Sequence, residues 1–121
     1  MAKILLVEDD PLIRRMVEMK FQKEGFEVIS CIDGKEGLEK LGTENPDVVL
    51  TDLMMPYVSG LEIITAVKSI KHRDIPVILF STMGQEHIVE EAFNLGADDY
   101  INKPFSVNEL TIRIRKQLKR I

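Results

Sequence analysis

Five short apolar runs rich in β-branched residues punctuate this chain, and the stretches between them have helical spacing. The runs lie at Lys3–Val7, Glu27–Cys31, Val48–Leu50, Val77–Phe80 and Asp99–Ile101. Most are continuous rather than alternating, the pattern of strands covered on both faces. Between them, Ile13, Met16, Val17 and Phe21 share a face after Pro11, with Gly25 as a natural stop. Asp33 and Glu36 form a capping box ahead of Leu38 and Leu41, and Gly42 closes that turn. Ser59 and Glu62 repeat the box before Ile63, Ile64, Val67 and Ile70. Ile88, Ala92 and Leu95 mark a fourth helix ending at Gly96, and Ser106 with Glu109 opens a fifth that carries Leu110, Ile114 and Leu118.

Strand–helix alternation of this kind predicts an α/β fold with a doubly wound parallel sheet of five strands covered on both faces. At 121 residues the chain supports a single core, so residues 1–121 are read as one domain. Right-handed crossovers place the C-terminal ends of all strands on one edge, and ligands of such folds bind there, where the strand order reverses. Composition narrows the partners. With 16 basic and 20 acidic residues the net charge is −4, so direct nucleic-acid binding by the domain is not expected. The single cysteine, Cys31, permits no internal disulfide and fits a reducing compartment. No apolar run approaches the roughly 20 residues that span a bilayer, and no secretory leader is read. A cytoplasmic protein without membrane contact is the expectation.

The residues just past the apolar runs form a coherent set. Asp9 and Asp10 follow the first, Asp52 the third, Ser81 and Thr82 the fourth, and Lys103 with Pro104 the fifth. Three carboxylates at one edge repel one another unless a bound hard cation and the Lys103 ammonium offset them. Magnesium suits such oxygen ligands and keeps waters that phosphate oxygens can replace. A carboxylate beside it can attack phosphorus to give an aspartyl phosphate, and a nearby hydroxyl and ammonium stabilise the group in transfer. Asp10 has a second reading, as the N-cap of a helix whose first turn holds Pro11, with Glu8 and Asp9 merely solvated.

"VEDD", "VVLTDLMMP", "PVILFST" and "GADDYINKPF" resemble the signature blocks of the response regulator receiver domain, the CheY-like superfamily of two-component signalling. The resemblance covers essentially the whole chain, with the blocks in family order and at family spacing. It implies a flavodoxin-like (βα)5 sheet of order 2-1-3-4-5 and a phosphorylation-activated switch rather than an enzyme. The phosphodonor it implies is a histidine kinase or phosphotransfer protein, with Mg2+ as cofactor. By position, Asp52 matches the phosphoacceptor. Asp10, Asp52 and the backbone carbonyl of Met54 match the direct metal ligands, and Asp9 the residue that acts on the metal through water. Ser81 and Lys103 match the residues that bind phosphoryl oxygens. The Lys103–Pro104 bond matches a usually cis peptide, and Tyr100 matches the aromatic switch residue that moves with Ser81.

Departures and competing classes complete the reading. Thr82 stands where alanine is frequent, and Tyr57 replaces a frequent glycine with no consequence apparent in the sequence. Met54 and Met83 occupy the positions that flank the site, and neither can orient water by a side-chain hydrogen bond, which favours slow loss of phosphate. "GADDY" and the fifth helix resemble the winged-helix transcription-factor subfamily. There Asp98, Asp99, Arg113 and Arg120 match salt bridges of a homodimer built on the fourth helix, fifth strand and fifth helix, although Val89 replaces a frequent basic residue. An aspartate-nucleophile phosphatase would need a second aspartate at Met54, and a flavin module would need a hydroxyl- and glycine-rich loop in place of "EDDPL". A pseudo-receiver would lack a site residue. His72 and His87 have no metal-ligand partner at suitable spacing, and Cys31 reads as a small buried hydrophobe.

Overall fold

The strands β1 (Lys3–Val7), β2 (Glu27–Cys31), β3 (Val48–Asp52), β4 (Val77–Ser81) and β5 (Asp99–Asn102) form one parallel sheet. They alternate with helices α1 (Pro11–Lys23), α2 (Gly34–Glu44), α3 (Gly60–Lys68), α4 (Glu86–Asn94) and α5 (Val107–Leu118) in a computed structural model that describes residues 1–119. The order β2-β1-β3-β4-β5 is the expected flavodoxin-like one. From β1 the chain steps one way to β2 and the other way to β3, so the order reverses between β1 and β3. Three strands run past their apolar stretches, to Asp52, Ser81 and Asn102, which makes those polar residues members of the hydrogen-bonded ladder.

The period of two along each strand sorts the core into two layers. Ile4, Leu6, Val48, Leu50, Ile78, Phe80 and Ile101 pack with Val17 and Phe21 of α1 and with Leu110 and Ile114 of α5. Leu5, Val7, Val49, Val77 and Leu79 face the other way, onto Leu41 of α2, Ile63, Ile64 and Val67 of α3, and Ala92 of α4. Each side chain in these lists is nearly or fully removed from water, and each one of leucine or isoleucine size stabilises the fold by about 1.5–3 kcal/mol. Cys31 lies in the second layer, and burial pushes its thiol up to about 12, so it behaves as a hydrophobe.

Helix starts follow the caps read from sequence, with two corrections. Asp10 Oδ1 accepts from the N–H groups of Leu12 and Ile13, and Ser106 Oγ from those of Asn108 and Glu109. Asp33 accepts from the Glu36 N–H, while Glu36 reaches back to the Ile32 N–H. Ser59 makes no side-chain cap bond. The start of α3 is held instead by the Gly60 N–H donating to the Leu53 carbonyl at 2.8 Å. Gly42 does not end α2, which runs on to Glu44 and stops at Asn45 with φ 51°. Asparagine tolerates this left-handed conformation, and the buried Leu41 favours continuing the turn.

Two positions in the β3–α3 connection bear on Asp52. A Cβ on Gly60 would lie 2.5 Å from the Asp52 carbonyl oxygen and 2.9 Å from Leu53 Cα, so only glycine lets α3 start this close to the strand end. Tyr57 has φ 68° and is fully exposed, which explains why glycine suits that position. Gly60→Ala is expected to lower the unfolding free energy by about 1–3 kcal/mol in urea titrations, through overpacking against backbone. Tyr57→Gly is expected to leave it unchanged or raise it by up to about 1 kcal/mol, since relief of the left-handed conformation outweighs the added freedom of the unfolded chain.

Candidate functional site

Strand parity and register assemble the site. Glu8 continues the Ile4–Leu6 face, Asp52 the Val48–Leu50 face, and Lys103 follows Ile101 on the same side of the sheet. Val7 is level with Thr51, so Glu8 stands beside Asp52, while Asp52 is level with Phe80 and Phe80 with Ile101. Lys103 therefore reaches the carboxylates across β4. Its Nζ lies 5.7 Å from the centroid of the Phe80 ring, which stacks on Phe105 at 5.0 Å.

The ammonium sits 2.8 Å from Glu8 Oε1 and donates to Asp52 Oδ2 at 3.0 Å. Its approach to Glu8 is a close ion-pair contact to an oxygen buried from water. Glu8 Oε2 accepts from the Asp10 N–H at 3.0 Å. Desolvation by burial pushes the Glu8 carboxyl up to about 7 against the opposing pull of Lys103, and the Asp52 charge adds to the rise. Burial also raises Asp52, again opposed by Lys103, with Asp9 pushing in the same direction as burial. For Lys103, burial acts to lower the pKa, but the two carboxylates outweigh it and the ammonium is held more firmly than usual.

One carboxylate oxygen from each of Glu8, Asp9 and Asp52 lies within 4.8 Å of the other two. Asp10 is outside this group, a correction to its expected place as a direct ligand. Its side chain turns to the first N–H groups of α1, as its second reading anticipated. Glu8 takes the place in the cluster because it has the parity of Asp52. Strand parity points to Glu8 only once the end of β1 and the start of α1 are known, and three consecutive acidic residues obscure both. Met54 stands half-exposed two residues past Asp52, and Met83 is exposed, so apolar side chains flank the site.

Ser81 is buried and donates through Oγ to Asn102 Oδ1 at 3.0 Å, a cross-strand pair in direct register. Sequence reasoning missed Asn102, although it immediately precedes Lys103. Tyr100 packs outward, its ring edge-on to Phe93 of α4 at 5.8 Å. Between Ser81 and α4 lies a cavity of about 170 Å³ whose lining includes Thr82, Val89, Tyr100 and Asn102. The Lys103–Pro104 bond is cis. Among the matched salt-bridge positions, Asp98 pairs with Lys68 and Asp99 with Arg113 within the chain, while Arg120 lies outside the described residues. His72 and His87 are exposed, and no described helix is long and apolar enough to cross a membrane.

In the ion-free protein burial pushes the Glu8 carboxyl up to about 7 against 4.5 in the unfolded chain, so between those values the folded state binds more of this proton than the unfolded chain does. More protons bound in the folded state means that stability falls as pH rises from about 4.5 to about 7. Chelator-treated protein is expected to lose about 1–2 kcal/mol of unfolding free energy across that window in urea titrations. Glu8→Gln should flatten the curve. A wild-type curve that rises instead would place an ionised Glu8 in the fold.

The receiver-domain model of response regulators matches residues 4–115. The chain is 41% identical over 119 residues to the transcriptional activator protein PfeR of Pseudomonas aeruginosa, covering 98% of this chain and 38% of that protein. It is 38% identical over 120 residues to the response regulator ArlR of Staphylococcus saprophyticus, covering 99% of this chain and 54% of that protein. It thus spans about half or less of these relatives. Among solved structures, the receiver domain of the Francisella response regulator 1452 is 35% identical with a TM-score of 0.89, covering 99% of this chain and 98% of that one. The chemotaxis response regulator CheY4 of Vibrio cholerae is 31% identical with a TM-score of 0.89, over 97% of this chain and 98% of that one. The chain belongs to the response regulator receiver domain family of two-component systems.

Proposed function

We propose that Asp52 accepts a phosphoryl group from a histidine kinase or phosphotransfer protein in a magnesium-dependent reaction. In this reading residues 1–121 act as one switch domain in the cytoplasm, and phosphorylation alters the α4-β5-α5 surface to control an output partner or a DNA-binding domain. The observation that carries it is a nearly buried aspartate at the reversal point of a parallel sheet, beside two further carboxylates and one ammonium.

The donor set fits a hard divalent ion: all three clustered groups are carboxylates, and one oxygen of each lies within 4.8 Å of the other two. Asp9 and Asp52 would hold magnesium, with Glu8 beside them, and the Met54 carbonyl is the further ligand the family resemblance implies. When bound, the ion offsets the negative charge of the cluster and of the incoming phosphoryl oxygens. The chain supplies the rest. An Asp52 oxygen attacks phosphorus while the phosphorus–nitrogen bond of the donor breaks and its electron pair leaves with the imidazole. Lys103, already on Asp52 Oδ2, favours the ionised nucleophile and then donates to a phosphoryl oxygen. Ser81 donates to another once its hydroxyl turns from Asn102, and the Tyr100 ring then moves from Phe93 into the cavity beside Ser81. The apolar Met54 and Met83 offer no hydrogen bond to an attacking water, which favours a long-lived phosphoryl group.

Full-length relatives that are transcriptional regulators make a DNA-binding output the leading expectation, with homodimerisation through α4, β5 and α5 as its route. Such a dimer would have to exchange or extend the Asp99–Arg113 pair now made within the chain.

Intact-mass measurement after incubation with acetyl phosphate and magnesium is expected to show one added phosphate, lost in Asp52→Asn. Asp9→Asn should slow uptake at least about tenfold through weakened ion binding. Asp10→Ala should keep uptake within about twofold while losing about 1 kcal/mol of stability with its helix cap. Equal loss of uptake in the Asp9 and Asp10 variants would overturn the assignment of the cluster to Glu8, Asp9 and Asp52.

A further inference from the structure

We infer that Asn102 is a positioning residue that holds the Ser81 hydroxyl on β5 and thereby sets how readily the domain switches. This rests on the reading of Asp52 as phosphoacceptor. Ser81 and Asn102 are level across β4 and β5, and the hydroxyl donates to the amide oxygen at 3.0 Å. A second bond, from the Lys103 N–H to the Ser81 carbonyl at 2.6 Å, ties the backbones of the two strands together beside the pair. Only the side-chain bond is therefore free to change when the hydroxyl turns.

The two ends of that bond sit in different surroundings. Ser81 is 1% exposed, so its hydroxyl must find a protein or phosphoryl acceptor wherever it points. Asn102 is exposed, so its amide oxygen can pair with water when the hydroxyl leaves. Magnitudes then order the states. A neutral hydrogen bond is worth about fivefold in an equilibrium constant, and one to a charged oxygen about ten- to a hundredfold. A phosphoryl oxygen on Asp52 outcompetes Asn102, but by a reduced margin. The resting bond thus lowers the fraction of molecules in the competent state and weakens the apparent affinity for the phosphoryl group by the same factor. Both residues line the cavity that Tyr100 would enter, so the bond also guards that space.

The test uses the full chain with magnesium and beryllofluoride, read by calorimetry. Asn102→Val and Asn102→Leu remove the acceptor from an exposed strand position and should each tighten binding about fivefold. Phosphate uptake from acetyl phosphate, followed by intact mass, should rise by a similar factor. In a Ser81→Ala background the same Asn102 substitutions should change the uptake rate by less than about twofold, because no hydroxyl remains to be released. Unchanged or weaker beryllofluoride binding in both Asn102 variants would overturn the inference, as would a full effect that persists without the Ser81 hydroxyl. A wild-type chain that takes neither beryllofluoride nor phosphate would instead bring down the phosphoacceptor reading, and this inference with it.

Discussion

The ammonium of Lys103, held between Glu8 and Asp52, is the contact on which the arrangement of the sheet edge depends. Two carboxylates buried side by side cost several kcal/mol in lost hydration and mutual repulsion unless a cation joins them. Lys103 reaches them from β5, two strands from β3, by lying over the Phe80 ring of β4. That reach works only while Asp52, Phe80 and Ile101 stay level. A one-residue slip in any of these strands would turn the charged residue to the opposite layer. The apolar faces that forbid such slips also hold Glu8, Asp52 and Lys103 together, so core packing and site geometry are one constraint.

Three consecutive acidic residues take three roles at the end of β1. Glu8 enters the interior by strand parity, Asp9 stays exposed at the mouth of the cluster, and Asp10 caps α1. The roles are coupled, because the Asp10 N–H donates to Glu8 Oε2 while the Asp10 carboxylate takes the next N–H groups of the helix. The helix start thus orients the buried glutamate. Gly60 does comparable service at β3, letting α3 begin against the strand end that carries Asp52.

On the proposed output side, the state described is one of satisfied local bonds. Ser81 is paired with Asn102, Tyr100 rests on Phe93, and Asp98 and Asp99 are paired with Lys68 and Arg113. Each of these is a modest interaction. The pair between Asp99 and the partly exposed Arg113 is worth at most about 1 kcal/mol, and so is a neutral hydrogen bond. A surface held by several such bonds can be rearranged by a single phosphoryl group whose contacts are charge-assisted and stronger.

The sequence by itself determined the alternation of strands and helices, the parallel doubly wound sheet, and the identity of Asp52, Ser81 and Lys103 as edge residues. Those follow from apolar periodicity and chain order, which are local properties. Which acidic residue joins Asp9 and Asp52 was decided only in three dimensions. It depends on where β1 ends and α1 begins, and a pattern read one residue out exchanges Glu8 for Asp10. The end of α2 at Asn45 rather than Gly42, and the unused cap at Ser59, reflect packing that overrides local preference. The partner of Ser81 was likewise invisible, because a cross-strand contact depends on register. Register is set by two strands packing on shared layers, not by the residues of either strand alone.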